Sequence, residues 1–276
     1  MSEENKSFFS SLSPKSALVV GLVGGVLVLC TIGFIVMLVI FFGGKDNSVI
    51  SKPIAQAATN PTIQQPVTPT VAKADKPVIE LFVMSYCPYG LQMEKAYLPA
   101  WELLKNKANI SIKFVSYAMH GLKEIEENTR QYCIAKNYPA KEISYLNCFT
   151  GKDDYKGCLA TVGITESSLT SCINSTNAQY KTLDKYNDQT TWLSGRYPVY
   201  QIHQDLNDKY GVQGSPTLVI NGKEASVSRT PEAVKQAICA SFNTAPEECK
   251  QTLSTAAPAA GFGGTAGGTD SNVQCE

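Results

Sequence analysis

The longest apolar run lies near the N-terminus. No residue between Lys15 and Lys45 is charged, and SALVVGLVGGVLVLCTIGFIVMLVIFFGG is almost wholly apolar. At 1.5 Å per residue, a helix over 16–44 is long enough to cross a hydrocarbon core of about 30 Å. A cleaved leader with Ala55-Gln56-Ala57 as its processing site fits less well, because leader cores span roughly 7–15 residues with the site close behind. The pattern therefore predicts a transmembrane helix over 16–44 after a short N-terminus, 1–15. Gly21 and Gly25 have the G-x-x-x-G spacing that lets two such helices pack, which allows a homodimer.

Beyond the span the pattern changes three times. Residues 45–76 carry Pro53, Pro61, Pro66 and Pro69 among Thr, Gln, Ala and Asn, a composition that predicts an extended linker. Residues 77–250 show the periodicities of a folded domain. VIELFVMS reads as a buried strand, and a turn at Cys87-Pro88 leads into a helical stretch, LQMEKAYLPAWELLKN, interrupted or kinked at Pro99. ISIKFVSYAM is a second strand, and a strand–helix–strand crossover implies a parallel pair. A largely helical insert over 122–210 follows. PTLVI, an Asn221-Gly222 turn and EASVSR then predict a hairpin, and PEAVKQAICASF a closing helix with Pro231 in its first turn. Residues 251–276 are Gly/Ala-rich and read as a disordered tail.

The 24 basic and 24 acidic residues balance, with no charged block, which removes nucleic acid from the expected partners. Positive residues flanking the span tie, so orientation rests on the nine cysteines. Cys30 lies in the span and eight follow it, a density that implies disulfides and an oxidising compartment. The main domain is thus expected outside the cytoplasm of a cell-membrane protein, with its N-terminus inside. No C-x-x-C pair occurs and only two histidines do, so neither a metal nor a cofactor is expected.

Met84-Ser85-Tyr86-Cys87-Pro88-Tyr89-Gly90 sits where a strand gives way to a helix, and Gly211-Val212-Gln213-Gly214-Ser215-Pro216 enters the hairpin. This pairing resembles the thioredoxin superfamily, an α/β fold whose reactive cysteine opens the first helix opposite a cis-proline. The resemblance implies that Pro216 is that proline and that Ser215 offers backbone to an extended substrate. His120-Gly121, Glu124, Asn128 and Cys133 further match the signature HG-x-x-E-C-x-x-N-x-x-x-x-C of the gamma-interferon-inducible lysosomal thiol reductase family, and CLATVGITESSLTSC, PTLVINGK and ICASFNTAPEEC resemble its later segments. The resemblance covers roughly residues 78–250. Two departures stand out: Gly90 replaces the second cysteine of the family's C-x-x-C, and Ile125 replaces the signature's first cysteine. The first removes the usual dithiol route; the second implies a rearranged structural disulfide. Lysosomal residence does not follow, because an uncleaved anchor differs from a soluble enzyme.

The attacking species in disulfide exchange is the thiolate, and a helix N-terminus favours an anion through unpaired N–H groups and the macrodipole. Cys87 is placed at such a position, with Pro88 preorganising the first turn. Tyr86, Pro88 and Tyr89, with Ser215 and Pro216, are candidate substrate-binding residues. Cys239 and Cys249 resemble a paired feature of the family. Cys133, Cys148, Cys158 and Cys172 allow three pairings. If those six are structural, Cys87 and Cys275 remain, and Cys275 becomes a candidate resolving cysteine. His120 reads equally as a proton-transfer residue or a structural turn, and His203 as a solvated or helix-packing histidine. The leading expectation is a membrane-tethered thiol–disulfide oxidoreductase, a reductase or isomerase with one reactive cysteine. Its partners would be a disulfide-containing or extended polypeptide, an external thiol reductant and, through 16–44, the lipid bilayer. The alternatives are a redox-inactive thioredoxin-fold module that binds extended polypeptide and a membrane-complex subunit.

Overall fold

The computed structural model describes residues 72–264. The apolar run of β1 (Val78–Val83) lies at the centre of a four-stranded sheet. It pairs in parallel with β2 (Asn109–Phe114), Val78 opposite Asn109 and Val83 opposite Phe114. On its other side it runs antiparallel to β3 (Thr217–Ile220), which turns back into β4 (Lys223–Glu224), giving the order β2-β1-β3-β4. Both faces of β1 are covered, which is why its sequence shows no polar alternation. Ile79, Leu81 and Val83 join the larger core with Leu91, Tyr97, Leu98, Val234 and Ile238. Phe82 and Met84 join Val115 and Val219 in a smaller layer beneath Leu206, Tyr210 and Val212.

Two helices hold the larger layer to the sheet. α1 (Pro88–Leu104) crosses over between β1 and β2 and runs through Pro99 as one helix rather than breaking there. Inside it, the buried Tyr97 hydroxyl donates to the carbonyls of Ile79 and Ser111, tying the two parallel strands together. The closing helix α8 (Pro231–Ala240) packs beside α1, its N-terminus capped by the Thr230 hydroxyl. Asn221 (φ 49°) and Gly222 (φ 77°) both adopt the left-handed backbone that a two-residue hairpin of this kind needs. β4 is only two residues long, shorter than EASVSR suggested, because after Ala225 N–H bonds the Leu218 carbonyl the chain leaves the ladder.

The insert comprises α2 (Leu122–Asn137), α3 (Pro139–Lys152), α4 (Tyr155–Thr161), α5 (Glu166–Tyr180), α6 (Thr182–Asn187) and α7 (Gln204–Tyr210). Of the three pairings open to its cysteines, the structure has Cys133–Cys172, joining α2 to α5, and Cys148–Cys158, joining α3 to α4. Cys239–Cys249 ties the end of α8 to a 3-10 turn at Glu247–Lys250. Each closes a loop whose freedom in the unfolded chain is thereby removed.

Both domain boundaries move outward from the expected 77 and 250. Ala74 bridges Phe242, and the Asn221 side chain donates to the Ala72 carbonyl, so the last part of the expected linker belongs to the fold. Residues 251–264, expected to be disordered, are a docked strap. Gly261, Gly263 and Gly264 have φ of 75°, 76° and 64°, so the glycine content that suggested disorder is turn chemistry here. Gly261 N–H donates to the Pro88 carbonyl and Gly263 N–H to that of Thr150. Lys95 Nζ donates to the Gly261 and Gly263 carbonyls. The expected transmembrane helix over 16–44, most of the linker and Cys275 lie outside the described residues. Among the described residues, no helix is long and apolar enough to cross a membrane.

Glu94, in α1, is fully buried, and neither carboxyl oxygen has a hydrogen-bond partner among the described residues. Burial, and secondarily the Glu127 carboxylate, push its pKa up to about 8. Folded Glu94 thus holds its proton well above the pH at which the unfolded side chain releases it. Its contribution to stability is complete below the ordinary carboxylate range and is lost as pH rises through about 8. Glu142, raised to about 7 by burial, acts in the same direction. Urea titrations should show stability falling from about pH 5 to about pH 8.5, and Glu94→Gln should flatten that fall by an amount on the order of a few kcal/mol. Identical pH slopes for the two chains would contradict this reading.

Candidate functional site

The site is built where β1 ends. Met84 to Cys87 turn the chain from strand to helix, and each of their backbone N–H groups has a partner. Met84 N–H donates to Ser215 Oγ (3.0 Å), Ser85 N–H to Asn128 Oδ1 (3.1 Å), Tyr86 N–H to Glu124 Oε2 (3.3 Å) and Cys87 N–H to the Met84 carbonyl (2.9 Å). Glu124 and Asn128 are completely buried. They stand four residues apart and so share one face of α2. The other oxygen of Glu124 accepts from Met119 and His120 N–H, and its Oε2 also meets His120 Nδ1. These contacts place His120 as a support of the turn, bound to the carboxylate that holds Tyr86.

Cys87 is the N-cap of α1, partly exposed, and its Sγ accepts from Gly90 N–H at 3.4 Å. This is the arrangement by which a helix start stabilises an anion. The Ser215–Pro216 peptide is cis, and Sγ lies 3.6 Å from the Ser215 carbonyl. The structure therefore brings Cys87, Ser215 and Pro216 together, as the sequence implied. Cys87 is the one free cysteine among the described residues.

The neighbouring aromatics divide. Tyr89 is half exposed, with the Arg229 guanidinium 5.0 Å from its ring centroid. Tyr86, expected at a substrate groove, instead packs edge-on against Phe149 and the strap's Phe262, beneath Lys123. Pro88 is buried, its carbonyl engaged by Gly261. Tyr86 and Pro88 thus both pack against the docked strap. His203 is also a packing residue. Its Nδ1 accepts from Phe114 N–H (3.0 Å), its ring stacks on Phe114, and burial with the nearby Lys113 holds its pKa down to about 3.

Sequence reasoning gave no role to Tyr117. Its hydroxyl donates to the Gln213 carbonyl (2.9 Å), pinning the loop that carries the cis peptide, and its ring lies beside Tyr197. Burial, Tyr197 and the nearby Cys87 all raise its pKa. Nothing in its local sequence marks it, because its partner lies 96 residues away. Glu124 and Asn128 were in view as signature positions only; their i,i+4 spacing is the signal that places them on one helix face.

No protein-family model matches the chain. No curated protein matches it either. Among solved structures, it is similar to the reduced form of a disulfide bond oxidoreductase, DsbG, from Mycobacterium tuberculosis, at 16% identity and a TM-score of 0.45, over 66% of this chain and 88% of that one. It is also similar to oxidised DsbA of the same organism, at 17% identity and TM-score 0.45, over 69% and 91% of the two chains. For oxidised BdbD from Bacillus subtilis the values are 17%, 0.40, 67% and 94%. The thioredoxin-like assignment rests on this chain's own sheet order, crossover helix and cis-proline loop.

Asn128→Ala removes the acceptor of the buried Ser85 N–H. The expected loss is about 1–3 kcal/mol of unfolding free energy, with faster hydrogen exchange at Ser85. Exchange at Ser85 unchanged from the parent chain would show that Asn128 does not hold the turn.

Proposed function

We propose that this chain is a membrane-tethered, extracytoplasmic thiol–disulfide oxidoreductase whose one substrate-attacking sulfur is that of Cys87. The observation that carries the reading is the position of one sulfur: at a helix N-cap, bonded by Gly90 N–H, and 3.6 Å from the carbonyl before a cis-proline. An extended polypeptide can pair with the backbone of that loop while its disulfide meets Sγ. The Cys87 thiolate attacks one substrate sulfur, the substrate S–S bond breaks, and the other substrate sulfur leaves as a thiolate. A second thiolate then attacks Cys87 Sγ and forms a disulfide with it, the mixed disulfide breaks, and the bound substrate sulfur departs as a thiolate.

Six cysteines are held in structural disulfides, so the second thiolate comes from elsewhere. We assign it to Cys275, regenerated by an external thiol reductant. The strap supports this assignment, because Gly261 is bonded to Pro88, the residue after Cys87. From Gly264, eleven further residues span at most about 36–40 Å when extended, ample reach back to the sulfur. The tether is the apolar segment over 16–44, with the N-terminus cytoplasmic. Disulfide use and the cysteine content favour the outer side of a cell membrane. The signature positions Glu124 and Asn128 hold the turn, which favours kinship with the gamma-interferon-inducible lysosomal thiol reductases.

The absent second motif cysteine favours a competing reading, a redox-inactive module that binds extended polypeptide. The two separate on incubating the full-length chain in detergent with scrambled ribonuclease and mapping the adducts by mass. Exchange chemistry yields a mixed disulfide on Cys87 that Cys87→Ser abolishes. Cys275→Ser should prolong the life of that adduct roughly tenfold or more. Binding of scrambled ribonuclease without any Cys87 adduct would establish the module reading instead.

A further inference from the structure

Gly90 has an ordinary helical backbone, so its conformation does not call for glycine, and glycine weakens a helix. Its reason lies in the space around it. A Cβ on residue 90 would stand 2.6 Å from Ser215 Oγ, 3.1 Å from the Met84 carbonyl oxygen and 3.2 Å from Cys87 Cβ. The last two are tight contacts at which the neighbour must give by a few tenths of an ångström; the first is not tolerable as it stands. Nor can the hydroxyl swing aside freely. Ser215 Oγ accepts the Met84 N–H at 3.0 Å, and Met84 is buried in apolar packing, so rotation would leave that N–H without a partner.

We infer that Ser215 is the residue that commits Cys87 to single-thiol exchange, its hydroxyl filling the space that the side chain of a second motif cysteine needs. The inference rests on the reading of Cys87 as an exchanging sulfur and adds what fixes that mode. Ser215 is a positioning residue: it holds Met84 and thereby the turn, and it keeps residue 90 free of a side chain. A mixed disulfide on Cys87 then has no internal thiol within the motif to break it. Its release falls to a thiol from outside the motif, such as Cys275, which attacks Cys87 Sγ, forms a disulfide with it and expels the substrate sulfur as thiolate. Lifetime of the adduct is set by that second thiol, and substrates that carry a further free thiol can release themselves in rearranged form.

The test uses the full chain in a Cys275→Ser background, oxidised with glutathione disulfide and mapped for a disulfide between Cys87 and a cysteine introduced at position 90. Gly90→Cys with Ser215→Ala should close that bond roughly tenfold faster than Gly90→Cys alone. Equal closure rates would overturn the proposal. Because the single variant is expected to be strained, a stability cycle gives a second reading. Gly90→Ala should lower Tm in the parent chain and lower it distinctly less when Ser215→Ala is present. Additive Tm shifts would also overturn it. Both readings concern space around residue 90 and stand apart from the scrambled-ribonuclease adduct on Cys87, so failure of the functional reading and failure of this one are seen in different experiments.

Discussion

The turn from β1 into α1 has four successive backbone N–H groups, Met84 to Cys87, and three of them are satisfied by side chains from elsewhere in the chain. Buried N–H groups without partners are costly, so a tight turn at the edge of a core needs acceptors delivered to it. The helical insert delivers two, Glu124 and Asn128, and the cis-proline loop delivers the third, Ser215. The insert is therefore part of what aims the sulfur, even though its bulk lies elsewhere. The Cys133–Cys172 disulfide begins five residues beyond Asn128 on the same helix, so the staple and the acceptors share one rigid element.

The strap completes the enclosure from the other side. Phe262 closes an aromatic cluster with Tyr86 and Phe149, while main-chain bonds from Gly261 and Gly263 fasten α1 to α3. Lys95 serves the same purpose from within α1, its ammonium drawn into a partly buried place that lowers its pKa. The buried Glu94 adjacent to it has no hydrogen-bond partner among the described residues, and burial pushes its pKa up to about 8.

Much of this was legible in the residues. β1, the crossover helix, the Asn221-Gly222 hairpin and α8 each carry a local signal, in apolar runs, turn chemistry or a capping Thr-Pro start. Cys87 and Pro216 were found together because their flanking motifs are short and distinctive. The misplaced features depend on distant contacts. The strap reads as a low-complexity tail until Phe262 meets Tyr86, 176 positions earlier in the chain. Tyr86 was a candidate for substrate binding because the residues that pack on it, Phe149 and Phe262, are remote in sequence. The disulfide pairing within the insert is set by how helices pack, α2 on α5 and α3 on α4, which no spacing encodes. Ser215 was singled out for its backbone, whereas its hydroxyl proves to matter as well, through a contact across 131 positions.

The place where the chain enters the domain has a geometric meaning. Ala72 is fastened to Asn221 at the hairpin tip and Ala74 to Phe242, beside the start of β1, whereas Cys87 follows the end of that strand. Entry point and sulfur are thus on opposite poles of the sheet, separated by the whole length of its central strand. A change at the hairpin end, at Ala74 or Asn221, therefore reaches the sulfur only through the length of β1, whereas one at Ser215 acts on it directly.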